Sequence, residues 1–221
     1  LGYQWNIMWL DTFALMPLVV LGAGLDGDRP SLTLIARLQT ALDYLNENPD
    51  AVAVVNPHRL DCKYPFKELA GVGVVFKLLC AYEIKESERA GEDKFNGIRR
   101  VFREYADLTA IGTIADVMPI VDENRLIVSM GLKIMEDNPR PGLAALIEAS
   151  SSKKSDDSHA KKRKITSGFI GFGIAPRINA AGRISSATKA VELVLADNDE
   201  LAEALAAELC EINLQRQIEE N

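Results

Sequence analysis

From Asp50 onward the sequence predicts an α/β protein, and three observations carry that expectation. Ala51-Val52-Ala53-Val54-Val55 is a continuous apolar run of strand length, as a strand buried on both faces of a parallel sheet requires. Segments of helical periodicity follow it. A long last helix, opened by Asp199, carries Leu201, Leu205, Leu209 and Ile212 at spacings of four, four and three.

Each element has a local reason. Asn56-Pro57 ends the strand, because proline cannot donate to a sheet ladder. Residues 63–67 read as a loop. Residues 68–82 then read as a helix with Gly71 and Gly73 near its start. Glycine there costs helix propensity, so close packing or a backbone approach is the expected compensation. Residues 98–115 are mostly helical. Residues 124–136 form a further helix with Leu126, Ile127, Met130, Leu132 and Ile134 on or near one face. Pro141 fits the first position of a short helix through Ala149. Residues 150–164 are a polar loop in which Lys153, Lys154, Lys161, Lys162, Arg163 and Lys164 face Asp156 and Asp157. Such a run is read first as a solvated insertion, and second as a basic loop that meets DNA. Residues 165–183 are rich in glycine and small residues, with a small-residue loop at residues 177–183. Residues 185–195 form a helix, and the last helix runs to the end without a stop signal.

The first 49 residues have a different texture. Both tryptophans, Trp5 and Trp9, lie here, with only two basic residues, Arg29 and Arg37. Three regions are therefore expected: an atypical segment 1–49, a partial α/β domain 50–196 with the polar loop at 150–164, and a connecting helix 197–221.

Composition narrows the classes of function. A chain of 221 residues with a hydrophobic fraction of 48% can build a real core. The net charge of −7 argues against a surface coated in basic residues, though not against a local basic groove. Cys62, Cys80 and Cys210 are odd in number, far apart and outside any Cys-x-x-Cys, so neither a disulfide framework nor a zinc knuckle is indicated. A reducing cytoplasm is the default compartment. Residues 7–25 are apolar, but Asp11 and Pro17 interrupt them and no basic residue precedes them, so no membrane association is expected.

The chemistry centres on Asp116, in Gly112-Thr113-Ile114-Ala115-Asp116-Val117-Met118-Pro119. An acidic residue at the end of an apolar segment can form one wall of a metal site. A hydrolytic two-metal site needs further carboxylates and usually histidines. The only histidines are His58 and His159, and neither lies in a ligand-like cluster.

Four segments in order carry a family resemblance. They are Asn56-Pro57-His58-Arg59 with Asp61 to Gly73; Gly112 to Pro119; Glu123-Asn124-Arg125 with Arg140-Pro141-Gly142-Leu143; and Ile174-Ala175-Pro176-Arg177-Ile178-Asn179-Ala180-Ala181-Gly182-Arg183. Asn213-Leu214-Gln215-Arg216-Gln217 follows near the end. From about Asp50 to Asn221 the chain resembles the RecJ family of single-strand-specific 5′→3′ DNA exonucleases, within the DHH phosphoesterase superfamily. The resemblance implies the C-terminal part of a DHH-type parallel-sheet domain with flanking helices. It implies two-metal phosphodiester hydrolysis in DNA repair and recombination, with Mn2+ or Mg2+. It implies single-stranded DNA as partner, with a single-strand-binding protein or a helicase as candidate protein partners. Asp116 matches the last metal ligand of the family and is the candidate catalytic and metal residue. Arg177, Asn179 and Arg183 match its DNA-side segment, where guanidinium groups take phosphate oxygens in pairs. Their alternative is intramolecular pairing that holds the segment. His58 follows Asn-Pro at a position that is not a ligand in the family.

The pattern breaks upstream. Where the family carries Asp-His-His, this chain has Ala36-Arg37-Leu38-Gln39-Thr40-Ala41. Asp26-Gly27-Asp28 imitates an Asp-x-Asp motif but lies too close to Asn56. Codons for Gly22 to Leu32 can be chosen so that a reading one base later encodes Asp-His-His, which suggests that the first 40 or so residues are out of frame. The expectation is a fragment that lacks its following domain and is inactive alone. A DHH enzyme of short oligonucleotides or cyclic dinucleotides, or a non-catalytic module that binds DNA or a partner, are the alternatives.

Overall fold

The computed structural model describes residues 55–59, 61–151, 164–184 and 187–220. The segment 1–49, the expected strand except Val55, and most of the polar loop lie outside the described residues. The chain divides into two compact units, Leu1–Val75 and Phe76–Asn221. Among the described residues the secondary structure is helical, and no strand occurs.

In the first unit the side chain of Asn56 accepts from the His58 amide at 2.9 Å, which closes a tight turn. Arg59 clamps Asp61 with two bonds of 2.9 and 2.8 Å. Helix α1 (Gly71–Arg89) begins in this unit and continues into the second. It starts three residues later than the sequence predicts, which leaves Gly71 as its first residue.

The second unit holds the rest. Helix α2 (Lys94–Ala115) is capped by Asp93, whose carboxylate accepts from Phe95 N at 3.0 Å. It is followed by α3 (Asp122–Asp137) and α4 (Pro141–Ser150), where Pro141 takes the first helical position as expected. A short helix α5 (Ser167–Phe169) leads into a π-helical turn (Ile170–Ile174) and then α6 (Ala175–Ile184). Helix α7 (Ala187–Leu195) and α8 (Asp199–Glu219) complete the unit. Asn198 caps α8 by accepting from Leu201 N at 2.9 Å.

Two cores form inside this unit. Phe76, Cys80, Val101, Ala106 and Ile127 join α1, α2 and α3, and Phe76 meets Phe102 edge to face at 4.9 Å. The larger core gathers Ile114, Val128, Leu143, Leu146, Ile170, Ile174, Leu193, Leu205 and Leu209. Burying each leucine there contributes about 1.5–3 kcal/mol.

Three expectations are corrected. The small-residue segment 177–183 is not a loop but part of a helix, and residues 167–184 are helical throughout. The small residues serve helix packing, as with the fully buried Ala180 and Ala181. The wide turn, in which Ala175 N bonds to Ile170 O, accommodates Pro176, which lacks an amide and would crowd a regular helix. On α3 the buried side is Ile127, Val128, Gly131 and Met135, while Leu126 and Met130 are exposed. On α8 the buried residues are Ala202, Leu205, Ala206, Leu209 and Asn213, and Leu201 is exposed. The large apolar residues straddle the buried stripe, because alanine and glycine let the helices approach and so set its centre.

Candidate functional site

Asp116 stands at the C-terminal end of α2, with φ −77° and ψ 0°, in the sparsely populated bridge between helix and strand geometry. Beyond it the chain reverses. Val117 N bonds to Ile114 O at 3.0 Å and Met118 N to Thr113 O at 3.1 Å. This crossed pair is the usual closure of a helix C-terminus, and it places Val117 in the left-handed region at φ 55°. Glycine normally takes that place. A β-branched residue there costs about 1–2 kcal/mol. The Val117 side chain is 85% exposed, so burial does not offset the cost. Asp122, at φ 43°, is a second non-glycine residue of this kind six residues after Asp116.

Burial pushes the Asp116 carboxyl above its ordinary value of 3.8. One turn earlier Thr113 is fully buried, and its hydroxyl has no hydrogen-bond partner among the described residues. The end of α2 thus presents a desolvated carboxylate, with a buried hydroxyl three residues before it. Such a carboxylate holds its proton more tightly folded than unfolded. It therefore favours the fold below the ordinary value, and that contribution is lost as pH rises through the raised one. At neutral pH the charged group is a net cost. Asp116→Asn is expected to raise the melting temperature at neutral pH in a chelating buffer, with the difference vanishing under acid conditions. A lower melting temperature at neutral pH would show that Asp116 is held by a favourable partner.

Among the described residues no three of His, Cys, Asp or Glu cluster in a way that could hold a metal ion. By themselves these residues do not fit a divalent-cation site, and Asp116 supplies one carboxylate only.

The other candidates lie on or beside α6. Arg177 is half-buried and turned inward: Nε donates to the Cys210 sulfur at 3.2 Å and Nη1 to the Gly173 carbonyl. It ties the π-helical turn to α8. Asn179 is half-buried on the same helix, and Arg183 has helical backbone near its end. The π-helical turn connects this segment to Asp116, since a Cβ at Gly171 would lie 3.6 Å from the Ile114 side chain, two residues before that carboxylate. His58 is exposed. Asn213 and Arg216 bond to each other at 3.4 Å within α8.

Sequence reasoning missed Asp107. Its carboxylate, 2% exposed, accepts from Arg140 Nε at 2.8 Å and Nη2 at 3.0 Å, and Arg140 Nη2 also donates to Glu104 O at 2.7 Å. Nothing local marks Asp107, although Arg140 was visible within its motif.

No protein-family model matches the chain. Individual proteins do, and they are bacterial exonucleases specific for single-stranded DNA. They are RecJ proteins: the chain is 42% identical over 171 residues to RecJ of Bacillus subtilis, covering 77% of this chain and 19% of the relative. It is 37% identical over 169 residues to RecJ of Escherichia coli, covering 76% and 28%. It superposes on Thermus thermophilus RecJ in complex with Mg2+ with a TM-score of 0.57 and 38% identity, covering 75% of this chain and 23% of that one. On a RecJ exonuclease bound to manganese the TM-score is 0.58 at 30% identity, covering 95% and 45%. The chain is similar to a segment of RecJ, and spans 19% and 28% of the length of these two curated relatives. Among the described residues no helix is long and apolar enough to cross a membrane.

Proposed function

We propose that this chain is part of a RecJ-type exonuclease that degrades single-stranded DNA by two-metal hydrolysis with Mn2+ or Mg2+, in DNA repair and recombination in the cytoplasm. The observation that carries the reading is identity of 42% to a RecJ across three quarters of the chain. In this reading Asp116 is a metal ligand. Arg177, Asn179 and Arg183 belong to the DNA-side segment, Arg177 by shaping it from within. The segment joins a DHH-type domain built on a parallel sheet with flanking helices. Single-strand-binding protein or a helicase would deliver the substrate.

One carboxylate does not hold two divalent ions against water. The chain alone is therefore expected to show no manganese-dependent degradation of single-stranded DNA, and degradation by the purified chain would refute this. The family reading is tested by grafting residues 55–221 into the matching segment of the Bacillus subtilis RecJ. The chimera is expected to degrade single-stranded DNA in Mn2+, and its Asp116→Ala variant to fall to background. An Asp116→Ala chimera that keeps its activity would remove Asp116 from the site.

A further inference from the structure

We infer that Asn124 is a positioning residue for Asp116, holding closed the turn on which that carboxylate stands. The inference rests on the reading of Asp116 as the functional carboxylate. Asn124 belongs to a motif, Glu123-Asn124-Arg125, to which the proposed chemistry gives no role.

Asn124 is fully buried, the only such polar side chain on α3 among the described residues. Burying an amide is unfavourable unless its hydrogen bonds are made, and an apolar residue would fill the space at lower cost. The Asn124 Nδ2 donates to the Pro119 carbonyl at 3.0 Å. Pro119 lies three residues beyond Asp116, and as a proline it offers the backbone only that carbonyl. The bond therefore ties the first turn of α3 back to the middle of the reversal.

The reversal needs such a tie. Val117 and Asp122, its two left-handed non-glycine residues, flank Pro119 at either end. Local preference would open the turn at the β-branched Val117. Val121, which precedes α3, makes no side-chain cap, so the start of α3 is not anchored by its cap residue. A turn that opens moves the last turn of α2, and Asp116 with it. The amide of Asn124 converts a conformation that the sequence disfavours locally into one defined placement.

The alternative is that Asn124 only adds to global stability. Hydrogen exchange on this chain separates the two. Asn124→Leu keeps the number and branching of side-chain heavy atoms and removes the donor. The positioning role predicts that the Val117 and Met118 amides, which close the turn, exchange at least about tenfold faster, while α2 amides such as Ala110 and Ile111 are unchanged. Val117→Gly, which removes the left-handed penalty, is expected to restore protection of the Met118 amide in the Asn124→Leu background. A uniform acceleration across α2 and α3 without rescue by Val117→Gly overturns the inference. Should Asn124→Leu not fold, folding of the double variant supports it, and failure of both overturns it. The measurement needs neither metal nor DNA, so its outcome is independent of the Asp116→Ala result in the chimera.

Discussion

Arg140→Ala is expected to destabilise the folded chain by about 3–5 kcal/mol, because it leaves a buried carboxylate with no counter-charge. Asp107 lies on α2 with its side chain 2% exposed, and both its oxygens accept from the Arg140 guanidinium. Arg140 in turn stands just before α4, so the pair ties α4 to α2. The pair as a whole adds far less than the single truncation suggests, since bringing both charges out of water cost most of what their attraction returns. Combining Asp107→Leu with Arg140→Met should therefore lie much closer to the parent than Arg140→Ala does. Urea unfolding of the three variants measures this. A loss below about 1 kcal/mol for Arg140→Ala, as for a surface pair, would show that the carboxylate finds water or another partner.

Gly142→Ala is expected to cost about 3 kcal/mol, at or beyond the upper end of what adding a single methyl does in a packed core. A Cβ at Gly142 would lie 1.7 Å from the Leu193 carbonyl oxygen and 2.6 Å from its carbon. These are backbone atoms of α7, so no side chain can swing aside. The same carbonyl accepts from Ala196 N at 3.2 Å, and moving it disturbs the turn after α7. Leu143 and Leu146 on α4 and Leu193 on α7 are all fully buried, so parting the helices also opens the core. Gly168→Ala is the control. The nearest atom to a Cβ there is Thr166 Oγ1 at 3.9 Å, and a change within about 0.5 kcal/mol is expected. Equal melting temperatures for Gly142→Ala and the parent would mean that α4 and α7 are free to slide.

The two predictions decode one motif. In Arg140-Pro141-Gly142-Leu143 the arginine neutralises Asp107, the proline starts α4, the glycine admits the α7 backbone and the leucine fills the core. As sequence it was a mark of family, with a reason only for Pro141. Gly131 is similar: it passes as an ordinary helix residue, yet a Cβ there would meet the Ala106 carbonyl at 2.2 Å. Helix faces were misplaced for this reason, because a leucine count does not register where glycine and alanine let two backbones touch.

At the candidate site the sequence identified the carboxylate but not its setting. The left-handed Val117 is hidden because valine is a poor choice there, and the turn chemistry that usually reveals such a position is glycine. The inward bonds of Arg177 are likewise silent, since they depend on Cys210, 33 residues away.

By itself the sequence determined the likeness to RecJ, the order of the helices outside residues 165–184, and Pro141 as the start of α4. Those signals act within a turn or so of backbone, where a residue's own preference decides. Only the tertiary structure decided which residues of the shared motifs face inward, that residues 167–184 pack as helix, and that Asp116 stands on a strained turn tied down by Asn124. Those outcomes depend on contacts beyond a residue's own turn, from a separation of five residues for Asn124 and Pro119 to 33 for Arg177 and Cys210, whose energies exceed the local preferences they override.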